Sequence, residues 1–97
     1  MNPPRISDLA IADLDSIWDY LAQFNVTTAD RLIDQIYHTI ERIVRHPGIG
    51  RGRDDLEPGL RSYTVDRRYL ILYLPVDETI EVRRILDGRR DVPTVYG

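Results

Sequence analysis

The basic side chains of this 97-residue chain are all arginines, and most of them come in close pairs. There are thirteen arginines, no lysine and sixteen acids, and the pairs are Arg51/Arg53, Arg67/Arg68, Arg83/Arg84 and Arg89/Arg90. A guanidinium binds carboxylate or phosphate through two parallel hydrogen bonds, but its pKa is too high for it to act readily as a base. These residues therefore predict recognition of anionic groups.

Other residues with catalytic or metal-binding potential are sparse. His38 and His46 are too far apart to suggest a metal motif, and the chain has no cysteine, so we expect no metal and no cofactor. The glycines of Gly48–Gly52 follow a predicted helix, whereas a phosphate-binding loop follows a strand and opens a helix. Asp54 and Asp55 lie in the same glycine-rich loop, where adjacent carboxylates are usually solvated.

Composition limits the function further. The net charge is −3 and the pI about 5.2, which argues against sequence-specific or general nucleic-acid binding by the whole molecule. Residues 1–50 hold seven acids against four arginines, and residues 51–97 hold nine of each, so a local basic patch on an acidic body is expected. No stretch approaches the ~18 apolar residues of a membrane span, and no signal peptide is recognisable. We expect a cytoplasmic protein.

Two amphipathic helices are predicted in the first half of the chain. Ser7 can cap a helix from Asp8 to Gln23, in which apolar residues recur at steps of three and four. Thr27–Asp30 has the pattern of a capping box that begins a second helix, and Pro47-Gly48 ends it. The short connection between them predicts an antiparallel helical hairpin.

The second half predicts an antiparallel meander. Its middle strand is Tyr69–Leu74, six consecutive apolar or aromatic residues that Pro75 is expected to close. Leu60–Val65 precede it and Thr79–Leu86 follow it, with connections short enough for hairpins.

The remaining segments complete one α+β domain over residues 1–97. Arg5–Ser7 can form a short edge strand, Gly48–Gly59 is predicted to be a crossover loop, and Val92–Gly97 an extended tail. We expect the N-terminal helical hairpin to pack on one face of a three- to four-stranded antiparallel sheet.

Five short fragments of the chain, taken together and in order, resemble the sequence pattern of a known family. They are Ala10-x-x-Asp13-Leu14-x-x-Ile17-x-x-Tyr20, Pro47-x-x-Gly50, Gly59-Leu60-Arg61, Tyr69-x-Ile71-x-Tyr73 and Ile85-Leu86-x-Gly88-Arg89-Arg90-Asp91. In this order and spacing they resemble the ParE branch of the RelE/ParE toxin superfamily, from bacterial type II toxin–antitoxin pairs. The resemblance spans roughly Arg5 to Val92.

The resemblance implies a fold, a partner and two possible targets. Family members carry a helical hairpin packed on a twisted antiparallel sheet. A ParD-like antitoxin wraps its C-terminal segment around the toxin, so the resemblance implies a hetero-oligomer with that antitoxin. ParE-type members poison DNA gyrase by binding, whereas RelE-type members cut mRNA in the ribosomal A site.

The gyrase interpretation needs no catalytic residue, only an interaction surface near the last strand and the turn after it. Arg83, Arg84, Arg89 and Arg90 are the candidates for target binding. Because neighbouring residues of a strand point to opposite faces, we expect one of Arg83 and Arg84 to pair with a helix carboxylate instead. Arg89 and Asp91 can close the turn with a salt bridge.

The alternative is a ribosome-dependent mRNA interferase, in which Arg90 and Tyr96 would be catalytic. Their spacing is similar to that of RelE-type nucleases, but the lysines of those enzymes have no counterpart here. An acidic chain is also poorly suited to a site walled by RNA phosphate. The sequence therefore favours a binding-type toxin over an enzyme.

Aromatic side chains are the candidates for antitoxin binding, since an antitoxin segment can bury apolar surface along the edge between helices and sheet or add a strand to it. The four candidates are Trp18, Tyr20, Tyr37 and Tyr63. We expect roughly half of them to belong to the core instead.

Overall fold

The chain folds into helices packed on a five-stranded sheet, in a computed structural model that describes residues 2–97. The helices are α1 (Asp8–Ala22), α2 (Val26–Arg45) and α3 (Val92–Tyr96). The strands are β1 (Arg5–Ile6), β2 (Arg51–Gly52), β3 (Arg61–Val65), β4 (Tyr69–Val76) and β5 (Thr79–Asp87). The spatial order is β1-β5-β4-β3-β2, with β1 parallel to β5 and all other pairs antiparallel.

Local hydrogen bonds set the beginnings of the two long helices. The Ser7 hydroxyl accepts the Ala10 N–H at 3.1 Å, as predicted for the cap of α1. The predicted capping box at Thr27 is wrong, because α2 begins at Val26, two residues earlier than that box implies, and Asn25 is its cap. Asn25 is extended, and its side-chain oxygen accepts the Thr28 N–H at 3.0 Å. Trp18 then ties the hairpin together, with its indole N–H donating to Asp30 at 2.8 Å.

Both long helices cover the same face of the sheet, so the predicted α+β architecture is confirmed. Their apolar stripes and the inward residues of β3, β4 and β5 form the main core. Its buried members are Ala10, Leu14, Leu32, Ile36, Ile40, Ile43, Val44, Val65, Tyr69, Ile71, Tyr73, Ile80, Val82 and Ile85. The central strand β4 lies under this cover, as its unbroken apolar run predicts.

A buried tyrosine joins the end of α2 to the centre of the sheet. The Tyr73 hydroxyl donates to the Pro47 carbonyl at 2.8 Å and accepts the Gly50 N–H at 2.9 Å. A Cβ on Gly50 would lie 2.5 Å from that hydroxyl oxygen, so a side chain at this position would force the contact apart. These contacts join two of the fragments that carry the family resemblance, the one from Pro47 to Gly50 and the one that ends at Tyr73.

The opposite face of the sheet has a smaller core. Leu60, Leu72, Leu86 and Val92 are buried there, with α3 lying over them. The predicted extended tail is wrong, because Val92–Tyr96 forms a helical turn in which proline is tolerated near the start.

The sheet is also larger than predicted. The segment expected to be only a loop contains β2, which pairs with β3 through Arg51 and Gly52. Pro75 does not end β4, which continues to Val76 alongside β5. The pairing of β3 with β4 ends at Tyr73, so Pro75 lies where β4 has one neighbour and a missing N–H is tolerated. With the parallel β1, the sheet has five strands instead of three or four.

Candidate functional site

The meander brings two arginine pairs to one end of the sheet. Antiparallel pairing places Tyr69, at the start of β4, opposite Asp87, at the end of β5. A tight turn through Asp66 and Arg67, both with positive φ, precedes Arg68 and β4. The end of the sheet and the second half of α1 enclose a cleft of about 430 Å³. We call this the arginine cleft; its charged lining residues are Asp13, Arg68, Asp87, Arg89 and Arg90.

Asp87 holds two of these arginines side by side. One carboxylate oxygen is 3.0 Å from the Arg68 Nε, and Arg89 contacts both oxygens at 3.3 and 3.2 Å. The Arg89 backbone N–H also donates to Asp87 at 3.0 Å. Burial alone raises the pKa of Asp87, but the hydrogen bonds from Arg89 and Arg68 outweigh it and lower the pKa to about 2. The carboxylate is therefore ionised throughout the neutral range.

Arg68 is also fixed from a second side. Its guanidinium lies over the Tyr69 ring, 5.2 Å from the centroid. Its carbonyl accepts the Gly88 N–H at 2.6 Å, which brings the two chain segments into close approach. A Cβ on Gly88 would lie 3.1 Å from that carbonyl oxygen, so any side chain at this position would crowd the contact between the two segments.

Arg90 differs from its neighbours because it has no acidic partner. Its backbone N–H donates to the Asp87 carbonyl at 3.1 Å, but its exposed guanidinium forms no ion pair within residues 2–97. The alternative in which Arg89 and Asp91 close the turn with a salt bridge is wrong. Arg89 binds Asp87 instead, while Asp91 accepts the Thr94 hydroxyl at 2.7 Å.

Arg84 is bound within the fold. Its Nε and Nη2 atoms each lie 2.8 Å from an Asp13 oxygen, in a two-pronged ion pair with α1. Asp13 also accepts the Ile85 N–H at 2.9 Å, and Arg84 reaches the Val95 carbonyl at 3.4 Å. The hydrogen bond with Asp13 raises the pKa of Arg84. The expectation that one arginine of this pair binds a helix carboxylate is confirmed.

Arg83 has acidic partners too. It contacts Glu57 at 3.3 Å and Glu81 more closely. The expectation that Arg83 and Arg84 lie on opposite faces is wrong, because the pairing of β4 with β5 skips Arg83. Both arginines line a second cleft, of about 390 Å³.

Tyr96 lies in that second cleft, away from Arg90. Its hydroxyl donates to Glu57 at 2.7 Å, and burial, followed by this hydrogen bond, raises the pKa of Tyr96 to about 12. Arg90 lines the arginine cleft and Tyr96 lines the second one, so the predicted alternative catalytic pair is not brought together. Across residues 2–97 no cluster of acids and histidines is suited to a metal, and no helix there could cross a bilayer.

The four aromatic candidates differ in exposure, and two of them line separate clefts. Trp18 and Tyr63 are half-buried, and Tyr63 carries the Arg42 guanidinium 5.1 Å from its ring centroid. Tyr20 and Tyr37 are 51% and 42% exposed. Tyr20 lines the arginine cleft, whereas Tyr63 lines a cleft between α2 and β3. No single aromatic patch contains all four.

Sequence reasoning missed Asp13, Asp87 and Arg68 as members of these clusters. The signal for Arg68 and Asp87 was present, because an antiparallel meander must place the start of its middle strand beside the end of its last strand. Asp13 carried no such signal, since its ion pair joins residues 71 positions apart.

Comparisons with known proteins agree with this fold. The profile of one family, the ParE toxin of the type II toxin–antitoxin system parDE, matches residues 5–92. Toxin ParE1 of Mycobacterium tuberculosis is 33% identical over 88 residues, 90% of each chain. Toxin ParE3 of Caulobacter vibrioides is 34% identical over 86 residues, covering 88% of this chain and 85% of the relative.

A solved structure shows the same architecture. It is described as a chromosomal ParDE TA system from P. aeruginosa, with a TM-score of 0.75 and 25% sequence identity, and the match covers 90% of this chain and 96% of that one. Because the family profile matches nearly the whole length and the relatives exceed 30% identity, this chain belongs to the ParE toxin family of type II toxin–antitoxin systems.

Proposed function

We propose that this ParE-type toxin inhibits DNA gyrase by protein binding in the cytoplasm, and that a cognate ParD-like antitoxin neutralises it. Family membership carries the proposal of a gyrase target. The arginine cleft supports the binding mode, because it offers guanidinium groups, and both of its carboxylates, Asp13 and Asp87, are already bound to arginines.

The position of Tyr96 also favours binding over RNA cleavage. A nuclease that used Arg90 and Tyr96 would need both at one phosphate, whereas the two side chains line different clefts. A phenol with a pKa of about 12 and a bound carboxylate is a poor proton donor at neutral pH. Neither feature assists RNA cleavage.

Arg89 and Arg90 are the preferred target-binding residues. Arg83 and Arg84 remain weaker candidates, because to bind a target they would have to release carboxylates of this chain that already stabilise the fold.

For the antitoxin we propose contacts with the exposed Tyr20 and Tyr37, since exposed aromatic rings are favoured at interface cores. Trp18 and Tyr63 would contribute only their outer edges, because Asp30 and Arg42 already bind them. A ParDE system as the structural neighbour supports an antitoxin partner.

The test is a supercoiling assay with purified toxin, gyrase and relaxed plasmid. We expect concentration-dependent inhibition and a trapped cleavage complex, both reversed by the antitoxin encoded beside the toxin gene. Primer extension on mRNA held in the ribosomal A site is the parallel assay. Cleavage there that Arg90→Ala abolishes, without gyrase inhibition, would replace this proposal with the nuclease alternative.

A further inference from the structure

We propose that the arginine cleft binds a carboxylate-bearing segment of a protein partner, with Arg90 as the main contact. Identification of that partner as the toxin's target rests on the function proposed above. The inference concerns the chemistry of the contact, which family membership does not specify.

The charges of the cleft are unbalanced. Arg68 and Arg89 share one carboxylate, that of Asp87, while Asp13 at the cleft wall is already paired with Arg84. The remaining Arg90 adds a positive charge without an acidic partner in the described chain. Like charges held close together repel each other, so a bound anion would relieve this repulsion.

The cleft also has free donors in fixed positions. Only the Nε atom of the Arg68 guanidinium bonds Asp87, which leaves both its terminal nitrogens for a ligand. Arg89 uses Nε and Nη2, and its side chain is 68% exposed. Because Asp87 and the Tyr69 ring already restrict Arg68, binding would cost less side-chain entropy than at a freely moving arginine.

The surroundings favour a protein carboxylate over a nucleic-acid phosphate backbone. The α1 helix that walls the cleft contains no basic residue, and its Asp15 and Asp19 are exposed. An extended polyanion would be repelled by these acids, whereas a single acidic side chain need not approach them. Tyr20, at the rim, packs edge-to-face with Phe24, which is 73% exposed. Exposed aromatics beside arginine are typical of protein interfaces.

Arg67 provides a matched control. It lies in the same turn as Arg68 and is exposed, but it does not line the cleft. Arg67→Glu and Arg90→Glu therefore change the net charge equally, and only the second removes a proposed contact. Arg90→Gln is a milder variant that removes the charge without reversing it.

The direct test is a titration of the ¹⁵N-labelled toxin with hexaglutamate peptide and, separately, with hexathymidylate DNA. We expect hexaglutamate to shift the amide resonances of Tyr20 and residues 68 and 88–90. Its affinity should fall at least fivefold in Arg90→Glu and in Arg90→Gln, and change less than twofold in Arg67→Glu. Unchanged thermal midpoints would show that the variants fold.

Two results would overturn the inference: no hexaglutamate shift at the cleft, or tighter binding of hexathymidylate there. The gyrase assay separates this inference from the proposed function. If wild-type toxin inhibits gyrase and Arg90→Glu inhibits it equally, the inference is wrong and the proposed function stands. If wild-type toxin does not inhibit gyrase, the proposed function fails, and the hexaglutamate titration alone decides whether the cleft binds carboxylates.

Discussion

The two Arg-Arg pairs of the last strand and its following turn have the same residues but different surroundings. Arg83 and Arg84 contact three carboxylates, those of Asp13, Glu57 and Glu81. The pair at 89 and 90 has one, Asp87, which it shares with Arg68. The comparison shows that the local supply of acids, not the dipeptide itself, decides whether an arginine stabilises the fold or remains available to a partner.

The largest effect should come from removing the carboxylate that binds Arg84. We expect Asp13→Ala to lower the free energy of unfolding by about 2–4 kcal/mol, because it leaves the Arg84 guanidinium and the Ile85 N–H without their acceptor. Urea denaturation measures this. Asp15→Ala, on an exposed position of the same helix, should change stability by less than about 0.5 kcal/mol. Equal effects of the two variants would contradict the assigned role of the first pair.

The second effect is a pH dependence centred on Asp87. Folding lowers its pKa from 3.8 to about 2, so the ionised carboxylate stabilises the fold fully above its unfolded pKa. That stabilisation is lost as the pH falls through the folded pKa. It should amount to roughly 1–2 kcal/mol, since the side chain is only 18% exposed. Asp87→Asn should flatten the stability profile between about pH 4 and 2; an unchanged slope would show that Arg68 and Arg89 do not lower this pKa.

Tyr96, in the second cleft, should affect stability slightly and gyrase inhibition not at all. Tyr96→Phe removes one hydrogen bond to Glu57 and should cost about 0.5–1.5 kcal/mol, measured by urea denaturation. Gyrase inhibition per folded molecule should remain within twofold of wild type. A large loss of activity without a loss of stability would make the second cleft functional and reverse the comparison.

The smallest stability effect should come from Arg90. Because its guanidinium has no ion pair in the part of the chain that the structure describes, Arg90→Ala should change the unfolding free energy by less than about 0.5 kcal/mol. Arg84→Ala is the paired comparison in the same denaturation series and should destabilise the protein measurably. Similar values for both variants would remove the distinction between the two pairs.

Long periodic elements were predictable from the sequence because their patterns repeat. The apolar steps of α1 and α2 and the continuous run Tyr69–Leu74 identified the helices and the middle strand. Among the short elements, the edge strand β1 was predicted, whereas β2 and α3 were not. They have only two and five residues, so packing and pairing with distant strands decide their conformation. The sequence predicted that Pro75 ends the strand, because it does not show that the pairing with β3 stops at Tyr73 and leaves Pro75 with a neighbouring strand on one side only.

The candidate site was predictable in residue type but only partly in partners. The arginine pairs were visible in the sequence, whereas the pairing of Arg84 with Asp13 depends on how α1 packs beside β5. The register skip at Arg83 likewise arises only in the assembled sheet, and it invalidates the simple alternation of side chains.

The most direct test of the account compares Arg90→Glu with Arg84→Ala in one experiment, measuring the gyrase inhibition and the thermal midpoint of each. We predict that Arg90→Glu loses at least tenfold in inhibition with an unchanged midpoint. Arg84→Ala should have a lower midpoint and retain inhibition per folded molecule within twofold. The reverse result, with Arg84 essential for inhibition and Arg90 dispensable, would contradict the claim that the turn is the main contact with the target.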